Sequence, residues 1–396
     1  MRLALCTCVA LLTGCGVPPP RTVGDTSSDL PLTGLDESWQ RAFDEGDRLF
    51  DVPFRAADGL GPLYIRQSCS GCHQGAARGP GTVKRMVQLE PDGSATPGQP
   101  ELRFGSVERP FSTSGATPLL APSSANIHVS TRSGIPVMGR GWLEAIADSE
   151  LERVATEQSQ RTDGISGRIN HVRFISEANP DTPFHHFQKG DLVIGRFGLK
   201  ARQPTLDDFA ADALQGDMGL TSPMRPNEVA NQEGITDDGK PGVDVDGEMM
   251  NALGNYVRLI AIPVRKEASV KGRDAFATAG CATCHVPSLR TRADYPIPQL
   301  ADADAPVFSD LLLHDLGPAF SDGLTDGEAG PSEWRTAPLI GVRFLTAFLH
   351  DGRTDDLRTA IELHGGEGSE AKASIDSFRA LPADDQAALL DFVSSL

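Results

Sequence analysis

The chain has 396 residues, of which 39% are hydrophobic and 6% aromatic, and its formal net charge is −18. This length and apolar content are typical of a globular protein with two or three domains. The strong negative charge argues against nucleic acid and anionic membrane surfaces as direct partners. With 29 prolines and 41 glycines, the sequence predicts long irregular loops rather than regular sheets.

The N-terminus has the features of an export signal. A positive charge precedes an apolar run at residues 3–12, which is too short to span a bilayer. The run ends in Leu-Thr-Gly-Cys, which resembles a bacterial lipobox; an ordinary secretory signal is the alternative. We expect residues 1–15 to be a lipoprotein signal peptide ending at Cys15, which would carry the lipid. Since aspartate does not follow, we expect the protein on the periplasmic side of the envelope, held in the outer membrane by this lipid alone.

A linker and a helix are predicted next. Residues 16–37 are rich in proline, serine, threonine and glycine, which is typical of a flexible linker. Residues 39–50 place Gly46 and Phe50 on one apolar helical face. The same Gly-x-x-x-Phe spacing recurs at residues 272–276, which indicates a weak internal repeat.

Each repeat leads to the motif Cys-x-x-Cys-His, at residues 69–73 and 281–285. Cysteines at this spacing can each add to one vinyl group of a haem, while the adjacent His73 or His285 reaches the iron as the proximal ligand. A zinc site would need its cysteine pairs closer together, and a thioredoxin-like pair would need a βαβ context that is missing. We therefore expect two covalently bound haems c, attached through Cys69, Cys72, Cys281 and Cys284.

The repeat predicts a mainly α fold with two cytochrome c-like haem domains and long irregular loops. The first domain would cover residues 38–264, with the candidate site for an oxidant, and the second would cover residues 265–396, for electron transfer.

Several elements are expected between the two motifs. Residues 76–135 show little periodicity and predict a long loop around the first haem. Residues 190–200 are expected to be extended. Thr205 is expected to cap a helix that runs to residue 214, and residues 248–263 predict another helix.

An acidic, glycine-rich loop lies at residues 234–247. Calcium is a candidate ligand of this loop, although the spacing of its acids is not that of an EF-hand. The carboxylates concerned are Asp237, Asp238, Asp244 and Asp246.

The second haem needs a sixth iron ligand from its own domain. No methionine follows Met250, so the usual thioether ligand is excluded there. Residues 354–364 predict an amphipathic helix that is capped by Thr354 and whose apolar face ends at His364. The last helix is expected to begin near Pro382. The candidate ligands are Tyr295, His314, His350 and His364. For the first haem, the candidates are His128 and Met138.

Two segments, at residues 335–339 and 348–353, resemble the closing motif of bacterial di-haem cytochrome c peroxidases. In that family the motif leads to a methionine ligand fourteen residues after its histidine. Here that position, counted from His350, is His364. The resemblance therefore implies that His364 is the distal ligand of the second haem and that His350 lies beside it without binding iron.

The match is closer to one branch of that superfamily, the di-haem oxidoreductases, which are named for peroxidase or thiol oxidoreductase activity. The signatures span most of the chain after the linker. They lie at residues 59–62, 195–198, 311–318, 333–336 and 364–367.

The resemblance also implies a catalytic acid at the first haem. The peroxidases carry a Glu-Met-Gly segment after a helix that begins Thr-Leu, and this chain has Thr205-Leu206 and then Asp217-Met218-Gly219. Asp217 would move a proton between the oxygens of a peroxide; a solvated loop aspartate is the alternative. Arg335 and Arg353 are candidate partners of haem propionates, because the guanidinium group matches a carboxylate.

These features predict a peroxidase-like oxidoreductase. Electrons would pass from a small donor protein, of cytochrome or cupredoxin type, through the second haem to an oxidant such as hydrogen peroxide at the first. The alternatives are a di-haem electron carrier without catalysis of its own, and an oxidase of an unidentified thiol or protein donor.

Overall fold

The computed structural model describes residues 29–396 except 75–78, 80, 114, 125, 135, 237–239 and 267–268. The signal peptide and Cys15 therefore lie outside the described residues. Within those ranges, every helix is too short or too polar to cross a membrane.

Helix predominates, at 34% of the residues against 15% in strands. In the described ranges the helices are α1 (Glu37–Asp51), α2 (Cys69–Cys72), α3 (Arg140–Ala145), α4 (Asp148–Ser159), α5 (Leu206–Met218), α6 (Gly247–Leu259), α7 (Val270–Thr278), α8 (Leu357–Leu363), α9 (Lys372–Ala380) and α10 (Ala383–Ser395).

The strands pair into two-stranded antiparallel ribbons, β1 with β3, β2 with β4, β5 with β6, β7 with β8 and β9 with β10. Their bounds are β1 (Leu63–Tyr64), β2 (Thr82–Gln88), β3 (Phe111–Ser112), β4 (Ile127–Ser133), β5 (His171–Arg173), β6 (Leu192–Ile194), β7 (Leu289–Arg290), β8 (Asp304–Ala305), β9 (Leu313–Asp315) and β10 (Glu333–Arg335).

The prediction of a long loop at residues 76–135 is wrong in part. β2 and β4 pair over seven residues each, from Thr82 opposite Ser133 to Gln88 opposite Ile127. The strands were missed because they are far apart in the chain and because β4 is largely polar, so neither shows a clear apolar alternation.

The helix boundaries follow local capping. Thr205 accepts a hydrogen bond from the Asp208 amide, which confirms the predicted cap of α5. In contrast, α8 is shorter than predicted, because Asp356 rather than Thr354 caps it. Pro382 precedes α10 as its N-cap residue.

The Gly-x-x-x-Phe repeat corresponds to the same kind of helix crossing in both halves of the chain. A side chain on Gly46 of α1 would lie 2.3 Å from the Ala252 carbonyl oxygen of α6, and one on Gly272 of α7 would lie 2.3 Å from the Ala388 oxygen of α10. Glycine therefore allows the backbones to touch at both crossings.

We expect Gly272→Ala to lower the free energy of unfolding by roughly 1–3 kcal/mol, because the added methyl group forces α7 and α10 apart. Gly247→Ala is the control, since a methyl group there meets nothing within 4 Å. Denaturant titration of both variants measures the difference. Equal stabilities would show that the close crossing does not matter.

The hydrophobic core is divided unequally. The larger cluster joins the first half of the chain to residues 289–312 and to Ile340, and so it crosses the predicted domain boundary at 264 and 265. A smaller cluster is built from α7 and α10 with Val342 and Phe378. The second Cys-x-x-Cys-His segment lies against this smaller cluster.

Candidate haem sites

The first Cys-x-x-Cys-His segment forms α2, whose cap Ser68 accepts a hydrogen bond from the Gly71 amide. The His73 Nδ1 atom lies 2.7 Å from the Gly79 carbonyl oxygen. A carbonyl can only accept, so Nδ1 carries the proton and Nε2 is the nitrogen that could bind iron. A side chain on Gly81 would lie 2.6 Å from the Cys72 sulfur, so glycine keeps this edge of the site open.

The second segment repeats this chemistry. The His285 Nδ1 atom lies 3.1 Å from the Phe308 carbonyl oxygen, which again leaves Nε2 for iron. Phe276 packs against His285 at 6.5 Å between ring centroids, as Phe50 packs against His73 at 6.1 Å. The phenylalanine of each repeat therefore supports the proximal histidine of its own site.

His364 ends α8 and lines the same cavity as His285. Its Nδ1 atom lies 2.8 Å from the Ala360 carbonyl oxygen, so its Nε2 atom is also available. Burial, together with the nearby His364, lowers the pKa of His285 to about 4, and burial lowers the pKa of His364 as well. Both imidazoles are therefore neutral at pH 7, as iron ligands must be.

The other three candidate ligands of this haem have different partners. The Tyr295 hydroxyl donates to Glu144 at 2.8 Å inside the larger core. Both ring nitrogens of His314 are held by carboxylates. His350 lines the cavity but stacks on Trp334, with 3.7 Å between ring centroids. His364 as the distal ligand stays a prediction, and it is the candidate whose free nitrogen is best placed for it.

The cavity fits a flat apolar macrocycle attached at Cys281 and Cys284. Its walls are mostly aliphatic and aromatic. The residues lining it include Phe276, Leu316, Phe320, Leu339, Ile340, Val342, Phe348, Leu357, Ile361 and Leu389.

His314 lies beside Cys284, with its Nδ1 atom 3.8 Å from the sulfur. Its Nε2 atom is 2.9 Å from Asp310 Oδ2 and its Nδ1 atom is 2.8 Å from Glu370 Oε2. Although burial opposes the charge, these carboxylates raise the pKa of His314 well above its ordinary value. His314 is therefore a buried imidazolium that ties Asp310 to the segment after His364.

This pairing predicts a pH-dependent stability. The contribution of His314 is fully present below the unfolded pKa of about 6.5 and is lost as pH rises through the higher folded pKa. We expect the free energy of unfolding to fall on the alkaline side of neutrality. His314→Gln should cost roughly 3–5 kcal/mol at pH 7, because the buried Asp310 and the half-buried Glu370 lose their cation. Denaturant titration at several pH values tests this, with the exposed His128→Gln as control. A variant as stable as the native protein would contradict the pairing.

Asp217 lies beside the first haem site. Its carbonyl oxygen accepts a hydrogen bond of 2.6 Å from the Ile65 amide, in the segment that leads to α2. Gly219 ends α5 at φ +70°, and a side chain there would lie 2.4 Å from the Gly61 oxygen. The backbone thus fixes the end of α5 against the first site. Burial, and then the negative charge of the nearby Asp217, raise the pKa of the Cys72 thiol.

The Asp217 carboxyl is half-buried among other charges. Burial, and then repulsion from Asp212, raises its pKa to about 6, against the opposing effect of three arginines. These are Arg85, Arg109 and Arg202. Arg109 also donates through Nε to the Gly216 carbonyl oxygen at 2.8 Å. A carboxyl with this pKa can accept and return a proton near neutral pH.

The two candidate distal ligands of the first haem differ in burial. His128 is exposed on β4. Met138 is fully buried, and its methyl group would lie 2.8 Å from a side chain on Gly341.

One protein-family model matches most of the chain. Residues 112–396 match the family model described as "Di-haem oxidoreductase, putative peroxidase". The chain belongs to this family. The matched region contains Asp217, His285 and His364, and the first attachment motif precedes it. As the family's name states, a di-haem oxidoreductase uses haem as its cofactor.

No curated protein matches the di-haem oxidoreductase. Among solved structures, a chain of hydrazine synthase from Kuenenia stuttgartiensis, pressurised with 20 bar xenon, matches with 13% identity and a TM-score of 0.35. The match covers 100% of each chain. At that score the likeness carries no argument.

The two arginines expected at haem propionates differ in position. Arg335 of the oxidoreductase is buried and lines the second cavity, where it donates to the Gly198 and Thr336 carbonyl oxygens. Arg353 does not line that cavity, and its Nε atom is 2.7 Å from Asp351. Arg335 fits the predicted role better, because Arg353 already has an anionic partner.

Two of the four candidate calcium ligands in the acidic loop are described, and both have hydrogen-bond partners within the chain. Asp246 caps α6, and Asp244 accepts hydrogen bonds from the Thr221 amide and hydroxyl. Asp237 and Asp238 lie outside the described residues. A calcium site here stays an untested prediction.

Three features of the sites were not predicted from the sequence. They are the arginines around Asp217, the two carboxylates that bind His314, and the buried Arg140. The arginines near Asp217 come from distant segments, so no local motif marks them. Arg140 had one signal, since glycines flank it and both are closely packed.

Proposed function

We propose that this di-haem oxidoreductase reduces a peroxide at its first site. The observation that carries the proposal is the half-buried Asp217, which is held beside Cys72 and whose pKa burial raises to about 6. A raised pKa gives no advantage to an aspartate with a purely structural role, whereas an acid–base catalyst needs a pKa near the working pH.

The residues fit two haems of c type. We propose that Cys69 and Cys72 would attach the first haem, with His73 as its iron ligand. Cys281 and Cys284 would attach the second, with His285 and His364 as its iron ligands. When bound, the two haems supply one-electron redox chemistry. The two halves of the chain would then be two cytochrome c-like domains.

The chain's own part in the reaction is the handling of protons. Reduction of hydrogen peroxide to two waters breaks the O–O bond and consumes two electrons and two protons. Asp217 would take the proton from one peroxide oxygen and return it to the other, which then leaves as water. Arg85, Arg109 and Arg202 keep the ionised carboxylate accessible by limiting the rise in its pKa.

At the second site, the neutral His285 and His364 would both hold the iron and leave no position for another ligand. Such a site exchanges electrons without binding substrate. A small redox protein would be the electron donor. The acidic surface of the chain favours a donor with a basic face. Lipidation at Cys15 would hold the enzyme in the periplasm, where such donors are found.

Turnover tests the proposal. The purified holoprotein, supplied with a reduced cytochrome or an artificial dye, is expected to oxidise the donor when hydrogen peroxide is added, at two donor electrons per peroxide. Omitting peroxide is the control. A protein that exchanges electrons with the donor but never consumes peroxide would be an electron carrier.

A further inference from the structure

Arg140 begins α3 in the first half of the chain and is 4% exposed. Its Nε atom donates to the Pro136 carbonyl oxygen at 2.7 Å, and Nη2 donates to the same atom. The Nη1 atom is buried and has no hydrogen-bond partner among the described residues. A buried guanidinium normally has its donors satisfied, so this one points to a missing acceptor.

Arg335 is a second buried cation nearby, also 4% exposed. Burial, and then repulsion from Arg335, lower the pKa of Arg140 to about 9. Burial lowers the pKa of Arg335 to about 10. In the described part of the chain, neither guanidinium forms an ion pair with a carboxylate. The Asp310 charge acts on Arg335, but that carboxylate is already paired with His314. Buried cations without an ion-pair partner destabilise the fold unless negative charge is supplied from elsewhere.

Both arginines are connected to the wall of the second cavity, Arg335 directly and Arg140 through its hydrogen bonds to a residue of the wall. Arg335 lines it, and so does Pro136, whose carbonyl oxygen holds Arg140. Although the cavity is built mainly by the second half of the chain, first-half residues close one side of it. These are Ser133, Gly134, Pro136 and Leu199.

We propose that Arg140 and Arg335 together bind the propionate carboxylates of the second haem, so that a residue of the first half anchors the haem attached to the second half. Two propionates supply the two negative charges that the pair lacks, and a carboxylate oxygen would complete the hydrogen bonds of Nη1. The proposal requires the second haem but does not depend on peroxide chemistry.

This arrangement has an electrostatic consequence. Two guanidinium groups stabilise the ionised propionates, so their carboxyl groups stay ionised at neutral pH. The buried positive charge also disfavours the oxidised iron, which raises the reduction potential of a site that two histidines would otherwise hold low.

The test is a redox titration of the second haem in the holoprotein between pH 5 and 9. Arg140→Gln is expected to shift the redox equilibrium about tenfold toward the oxidised form, which corresponds to about 59 mV for one electron. The potential of the variant should also fall as pH rises through the neutral range, since a propionate that has lost its cation titrates there. The native protein should show a nearly flat profile.

Two further variants keep the test decisive. Arg335→Gln, on the other side of the pair, should shift the potential in the same direction. Arg196→Gln is the matched control, because Arg196 is also buried near α3 but pairs with Asp148. An unchanged potential and pH profile in both pair variants, with full haem content, would overturn the proposal. So would an equal shift in the control.

Discussion

Replacing Asp217 with asparagine is expected to lower peroxide turnover by about 10²–10⁴-fold, because the amide keeps the shape of the side chain but cannot carry the proton. Donor oxidation with hydrogen peroxide measures the loss. Haem content and the spectrum of the second haem should not change, since Asp217 lies beside the first site.

The same residue predicts the pH dependence of turnover. The pKa of Asp217 is raised to about 6, so the base is ionised above that pH and protonated below it. Native turnover should rise through pH 6 and then level off, whereas the asparagine variant should show no such step. Asp217→Glu restores a carboxyl and should recover part of the rate. Native-like turnover in the asparagine variant would remove Asp217 from the mechanism.

The second large effect concerns His364. We expect His364→Met to raise the reduction potential of the second haem by on the order of 0.1 V or more, since a thioether ligand favours ferrous iron over an imidazole pair. Redox titration with optical detection measures the shift. The absorbance of the second haem should change in the same variant, because its ligand field changes.

His350 provides the control for this experiment. It lines the same cavity, but it stacks on Trp334. His350→Phe keeps that stacking and should leave the spectrum and potential of the second haem almost unchanged. If His350→Phe changes the spectrum and His364→Met does not, the ligand is His350.

Local chemistry made much of the site predictable. The Cys-x-x-Cys-His motifs specify attachment by spacing alone, and the side chain of Thr205 caps α5 as its sequence suggests. The resemblance to the di-haem peroxidases predicts His364 from its position fourteen residues after His350, and in the structure His364 lines the same cavity as His285. These predictions depend on residues that are close in sequence.

The parts that were missed depend on tertiary contacts. Arg85, Arg109 and Arg202 come from three separate segments, and the charges of all three act on Asp217. The ribbon of β2 and β4 joins strands separated by a long connection. The charge of Arg335, in the second half of the chain, acts on Arg140 in the first half. No periodicity or cap reports such contacts, because they arise when the chain folds.

The central claim is that the first haem is open to ligands and the second is closed by two histidines. The most direct test is the absorption spectrum of the oxidised holoprotein before and after cyanide is added. We expect one of the two haems to bind cyanide while the other keeps an unchanged low-spin spectrum. Two haems inert to cyanide, in both the oxidised and half-reduced protein, would contradict it.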